Sequence, residues 1–346
     1  MSTQFILTED PHRRVIAWWL VVVSVLVLAM IMLGGATRLT QSGLSIVEWK
    51  PLSGAIPPMN IEEWMAEFNA YRQYPEYLLV NKGMSLDEFK SIFWWEYSHR
   101  LLGRLIGLVF AVPLLFFVAK RMVPSDYKMK LFGLLALGGA QGAMGWWMVM
   151  SGLVNEPDVS QYRLAAHLGL ALIILCYSLW LALGLLRPDV GENRGWGHLP
   201  VVIFAVTFLQ MMLGALVAGL DAGFAYNTWP DMDGSFLPSE AFHIEPLWHN
   251  FTENTAMVQF WHRMTAYTVL GLVVFAFIKG KRMGAGGDVK RALLLMKALT
   301  GFQVVLGIAT LLMVVPVSLG VLHQGFAVLV LASTLYFVFE TKVSRS

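Results

Sequence analysis

Four histidines stand inside long apolar stretches of this chain: His99, His167, His262 and His323. An ionisable side chain at membrane depth is costly, so each needs a reason. Two facing imidazoles are the usual axial pair of a low-spin haem iron. Zinc fits less well, because no three-histidine or histidine–carboxylate set is evident and the only cysteine, Cys176, lies in an apolar run. The residue four positions after each histidine is small: Gly103, Ala171, Ala266 and Ala327. Positions i and i+4 share a helix face, so these residues leave room for a porphyrin plane. Close helix packing also selects small residues. Four at one offset, each tied to a histidine, favour the haem slot.

Arginines accompany the histidines. Arg100 follows His99, Arg263 follows His262, and Arg104 and Arg163 stand nearby. At the membrane surface a guanidinium pairs with the carboxylates of haem propionates, or simply reaches for water. Glu96 lies three residues before His99, on the same helix face, whereas the matching residue before His262 is the neutral Gln259. A half that only holds a redox haem needs no acid; a half that moves protons does. Glu96 is therefore the candidate catalytic residue, with pairing to Arg100 as its structural alternative. The other histidines, His12, His198, His243 and His249, fall in loops and read as solvated.

The elements that must position these groups are membrane helices. Of 346 residues, 57% are hydrophobic and 14% charged, with mean hydropathy +0.60; soluble proteins carry about 25% charged residues. Eight runs reach bilayer length, with cores at 15–35, 93–119, 129–150, 163–186, 199–220, 257–278, 291–314 and 318–340. Pro316 divides the last two. Cations gather before the first run, between the second and third (Lys120, Arg121, Lys128, Lys130), the fourth and fifth (Arg187, Arg194), the sixth and seventh (Lys279, Lys281, Arg282, Lys290, Arg291), and at the end (Lys342, Arg345). The loop 221–256 has no Lys or Arg. Both termini are thus expected in the cytoplasm, with the loops 36–92 and 221–256 outside. No basic patch with interleaved aromatics points to nucleic acid. In the first outer loop, Trp64, Met65, Phe68 and Tyr71 have helical spacing, and Ser85 with Glu88 forms a capping box.

The halves repeat. "MLGGATRLTQSG" (32–43) echoes "MLGALVAGLDAG" (212–223), "EYSHRLLGRLIGLVF" (96–110) echoes "QFWHRMTAYTVLGLV" (259–273), and "LGGAQGAMG" (137–145) echoes "LTGFQVVLG" (299–307). "AAHLGLAL" (165–172) echoes "VLHQGFAV" (321–328). The fold expected is an all-α polytopic membrane protein, with eight transmembrane helices as two pseudo-symmetric four-helix bundles, residues 1–190 and 191–346. All four histidines then sit toward the outer face. Residue chemistry alone leaves three readings: an electron-transfer cytochrome with two haems, a haem transporter or chaperone, and an enzyme acting on haem.

Long stretches of the chain resemble the haem A synthase family, of the mitochondrial and alphaproteobacterial type: "GGATRLTQSGLSIVEWKPLSGAIPP", "FKSIFWWEYSHRLLGRLIG", "PDVSQYRLAAHLGLAL", "VAGLDAGFAYNTWPDMDG", "MVQFWHRMTAY" and "GIATLLMVVPVSLGVLHQ". The resemblance implies an enzyme that oxidises a ring methyl of haem O to a formyl group, giving haem A for cytochrome oxidase. It implies that His262 and His323 hold a haem b. It places the substrate haem between His99 and His167, with Glu96 needed for turnover. Paired loop cysteines of another branch are absent. The partners implied are haem O, haem O synthase, the cytochrome oxidase assembly machinery and an electron donor. Membrane lipid and a homo-oligomer are compatible with the sequence. No Arg-rich, Ser-rich transit segment precedes Val15, so a bacterial inner membrane is expected rather than a mitochondrial one.

Overall fold

The structure, a computed structural model, describes residues 11–50, 53–154, 157–187 and 195–342. The loop cations Arg194 and Arg345 and the division at residue 190 lie outside the described residues. Among those described, the chain forms α1 (Pro11–Leu39), α2 (Ile61–Tyr71), α3 (Pro75–Leu79), α4 (Leu86–Ala119), α5 (Ser125–Val149) and α6 (Gln161–Leu186). There follow α7 (Leu199–Gly219), α8 (Asn250–Glu253), α9 (Thr255–Arg282), α10 (Gly287–Leu312) and α11 (Val317–Thr341). No strand occurs among the described residues beyond one isolated bridge, Met232 to Ser235.

Seven of these helices, α1, α4, α6, α7, α9, α10 and α11, are long and apolar enough to cross a membrane. This is an integral membrane protein. α5 is 25 residues long, but its glycines, its paired tryptophans and the charges in its first turns dilute its hydropathy. On α4, Leu105, Leu108, Val112 and Leu115 recur every three or four residues and stay exposed, a face suited to acyl chains.

Packing follows from the opposite faces. α1 lies against α4 and α6, and α5 lies against α4 and α6; α7 lies against α9 and α11, and α10 lies against α9 and α11. Along the seam, α1 meets α11 and α6 meets both α7 and α11. The seam core is built from Leu20 and Val27 of α1, Leu172 and Leu175 of α6, and Leu331 of α11. Equivalent places in the sequence repeat share their backbone: Gln41 and Asp221 are left-handed (φ 49° and 50°), as are Arg121 and Gly284 (φ 55° and 66°). Pro316 caps α11, and the turn before it holds Val314 and Val315 at φ 58° and 51°, a costly conformation for β-branched residues.

The long loop between α1 and α4 is a packed layer. Phe68 and Tyr71 of α2 and Tyr77 of α3 meet Phe89, Phe93 and Tyr97 of α4 in one aromatic cluster. Ser85 accepts from the Glu88 N–H while the Glu88 carboxylate accepts from the Ser85 N–H at 2.7 Å. The capping box starts α4 at Leu86, ahead of its apolar run. The first turns of α4 thereby belong to the loop, and Glu96 and His99 stand where loop and bundle join.

Candidate functional site

Each histidine comes from a different helix: His99 from α4, His167 from α6, His262 from α9 and His323 from α11. Each ring rests against a glycine on the long helix before it. A Cβ added at Gly34 would lie 3.4 Å from His99 Nε2. One added at Gly145, Gly214 or Gly307 would lie 3.0, 3.1 and 2.7 Å from Cε1 of His167, His262 and His323. At Gly145, Gly214 and Gly307 the imidazole sits closer than a side chain would comfortably allow, whereas at Gly34 the distance is that of ordinary contact.

The rings of His262 and His323 are 6.4 Å apart, centre to centre, at 73° to one another. A metal–imidazole bond of about 2 Å puts each ring centre about 3 Å from the metal, so two axial rings on one iron stand about 6 Å apart. The pair fits a haem iron between them. No cluster of three or more His, Cys, Asp or Glu that could hold a bare metal ion occurs among the described residues. Around the first pair, a Cβ at Gly103 would meet only Met30 Cε, at 3.6 Å, and one at Gly107 would meet nothing within 4 Å. Ala171 is buried in the seam core and Ala327 packs against it, so at these two positions the small side chain serves helix packing.

Glu96 is 2% exposed and accepts four hydrogen bonds. Ser45 Oγ and the Ile46 N–H donate to Oε2 at 2.8 and 2.7 Å. Arg100 donates to Oε1 from Nε at 3.0 Å and from Nη2 at 2.6 Å. In the other half, Gln259 donates from Nε2 to the Ala222 and Tyr226 carbonyls at 2.8 and 3.2 Å and accepts from Arg263 Nη2 at 2.9 Å. Both residues anchor an outer loop to the helix that carries the histidine.

Comparison with known proteins decides the family. The model of the family described as cytochrome oxidase assembly protein matches residues 17–335. A heme A synthase of Parvibaculum lavamentivorans is 51% identical over 330 residues, covering 95% of each chain. One of Brucella anthropi is 50% identical, over 94% of this chain and 91% of its own. One of Agrobacterium fabrum is 48% identical, over 93% and 89%. The chain belongs to the haem A synthase family.

In this family member Arg100, Arg104 and Arg263 hold loop backbone, and Arg163 holds the last turn of α5. Arg100 donates to the Ile46 and Glu48 carbonyls at 2.6 and 3.1 Å. Arg263 donates to those of Tyr226, Thr228 and Asp231 at 2.8–3.0 Å. Arg104 donates to the Lys50 carbonyl at 2.8 Å. Arg163 donates to the Trp147 carbonyl at 2.7 Å and lies over the Trp147 ring. His243 contacts the Glu240 carbonyl and Asn254, and His249 contacts Glu253, so both serve the second outer loop. Sequence reasoning missed the four glycine sockets and three glutamines. Gln141, Gln210 and Gln303 reach His167, His262 and His323 through Nε2, at 3.2, 3.1 and 3.1 Å from Nδ1. Their signal was legible as Q-x-x-x-G, which recurs at 141–145, 210–214 and 303–307.

Proposed function

We propose that this chain oxidises a ring methyl of haem O to the formyl group of haem A, for use in cytochrome oxidase. The observation that carries the reading is the spacing of the His262 and His323 rings, which suits one iron; His99 and His167 stand at the repeat-equivalent positions of the first half. In this reading His262 and His323 hold a haem b as resident cofactor. His99 and His167 hold the substrate haem. A bound haem b supplies one-electron redox chemistry. Two pseudo-symmetric four-helix bundles, with eight membrane helices in all, divide the work: residues 1–190 carry the substrate site and 191–346 the haem b site. In each half one helix packs against two others, α1 against α4 and α6 and α7 against α9 and α11, and the halves join along the seam of α1, α6, α7 and α11.

Glu96 is the proposed acid–base group. Converting a methyl to a formyl group takes hydrogen from the carbon, and protons must leave the site. Four donor atoms, from Ser45, Ile46 and Arg100, converge on its carboxylate oxygens and fix its position. Arg100, Arg104, Arg163 and Arg263 line the outer ends of the helices, where propionates would lie, and their bonds to backbone carbonyls set their positions. The reading places the protein in a bacterial inner membrane, with termini in the cytoplasm and haem sites toward the outer face. It draws substrate from haem O synthase and electrons from a separate donor, and it works beside the oxidase assembly machinery. The test is to extract bound porphyrins after co-expression with a source of haem O. Haem b together with haem O, an oxidised intermediate or haem A is expected. Haem b alone would make the chain an electron-transfer cytochrome.

A further inference from the structure

Three of the four histidine sites contain an atom that their protein surroundings do not satisfy. Oε1 of Gln141, of Gln210 and of Gln303 is buried without a hydrogen-bond partner. A buried amide oxygen left unpaired costs about 1–3 kcal/mol. One such atom is unremarkable, but three at equivalent places call for a common cause. Each glutamine stands one turn before the glycine that receives the histidine, so its amide lies at the edge of the ring. Gln210 Nε2 is 3.1 and 3.3 Å from Nδ1 and Nε2 of His262. Gln141 and Gln303 also donate to the backbone carbonyl of His167 and His323, at 3.1 and 2.9 Å.

An imidazole that binds iron through one nitrogen carries its proton on the other, and that N–H needs an acceptor. An amide presents oxygen and nitrogen in nearly the same shape. Turning the amide about its last bond exchanges the two, bringing the unpaired oxygen to the ring N–H. Gln210 loses no other bond by turning. Gln141 and Gln303 exchange one bond to a carbonyl for one to the ring. The fourth site breaks the pattern. The residue one turn before Gly34 is Met30, and a thioether is a weak acceptor.

We infer that Gln141, Gln210 and Gln303 are positioning residues whose amide oxygens take the N–H of a ligated imidazole, and that His99, where Met30 stands in the glutamine's place, is the unsupported and exchangeable ligand. The inference rests on the axial-ligand reading above. Both ligands of the second half are then supported, which suits a haem that stays. The first half has one supported ligand, His167, and one weak one, which suits a haem that must arrive and leave.

The test compares Gln303→Leu, Gln303→Glu and Met30→Gln in the purified full-length protein. An acceptor on the N–H makes imidazole a better donor to ferric iron. Gln303→Leu should therefore raise the midpoint potential of the second-half haem, and Gln303→Glu should lower it. Leu should also speed transfer of that haem to an apo-globin scavenger, with affinity falling about 10–100-fold. Met30→Gln should slow release of the first-half haem to the same scavenger. Shifts of the same sign in the Leu and Glu variants, or no shift in either, would overturn the inference. Faster or unchanged release from Met30→Gln would overturn its second clause. Replacing His323 with Ala separates the two levels: a haem b spectrum that survives it rejects the ligand reading, whereas its loss alongside silent glutamine variants rejects only this inference.

Discussion

The glycine sockets give a graded prediction. A methyl group at Gly307 would stand 2.7 Å from His323 Cε1, where ordinary contact begins at 3.4 Å. The ring would have to retreat about 0.7 Å, or α10 and α11 would have to part by as much. An axial nitrogen tolerates little of this, since its bond to the metal is set to within about 0.2 Å. Overpacking of this kind costs about 1–3 kcal/mol, which corresponds to about 5- to 150-fold in affinity. Gly307→Ala should thus retain much less second-half haem, measured as haem b per protein and by transfer to a scavenger. Gly145→Ala and Gly214→Ala, at 3.0 and 3.1 Å, should show smaller losses. Gly34→Ala, at 3.4 Å, should be nearly silent at its own site. A Gly307→Ala protein with wild-type haem retention would refute the socket argument, and so would Gly34→Ala losing as much as Gly307→Ala.

Three further outcomes are expected. Glu96→Gln should abolish haem A output while second-half haem remains, whereas Ser45→Ala, which loosens the same anchor but keeps the charge, should retain most of it; equal losses in extracted haem A would make Glu96 an anchor only. Burial holds the Glu76 carboxyl up at about 8 against an ordinary 4.5, so the folded outer loop keeps a proton that the unfolded loop has lost. Loop stability should be greatest below pH 4.5 and fall toward pH 8, by at most about 1.4 kcal/mol per pH unit, and Glu76→Gln should flatten the profile of loop proteolysis against pH. A cysteine placed in the loop 221–256 should react with an impermeant reagent from outside and one at Lys281 should not; the reverse labelling would overturn the orientation taken from loop charge.

Much of the candidate site was visible in the sequence because ionisable residues in apolar runs are conspicuous. His99, His167, His262 and His323 needed only hydropathy and the repeat to be found. The capping box at Ser85 and the break at Pro316 follow from local chemistry and appear as expected. What stayed hidden depends on partners from other helices. Gly34 and Gly307 look like any packing glycine until the imidazole of a distant helix is set against them. Ala171 and Ala327 looked like members of a porphyrin slot, and their burial in and against the seam core gives them a packing role that no spacing rule separates from it. The arginines read as carboxylate partners, yet the folded loops supply carbonyl oxygens that need their donors.

Glu96 and Gln259 show why shape alone misleads. By size they are isosteres, and both lie four residues before an arginine that they bind. Their remaining neighbours have opposite polarity. Glu96 faces a hydroxyl and an N–H, Ser45 and Ile46, both donating. Gln259 faces two carbonyls, those of Ala222 and Tyr226, both accepting. An amide at 96 could satisfy its four donors only with its one oxygen, leaving its NH₂ group against another donor. A carboxylate at 259 would press an anion on two carbonyl oxygens. Each loop therefore selects its own residue, and exchanging them costs stability in both halves. The first loop presents donors to a carboxylate beside the histidine of the proposed substrate site, and the second presents acceptors to an amide beside the proposed haem b site. A purely structural anchor has no need of that charge, since the second half is anchored without one. The loop that accommodates it keeps the proposed acid–base group buried near the first turns of α4.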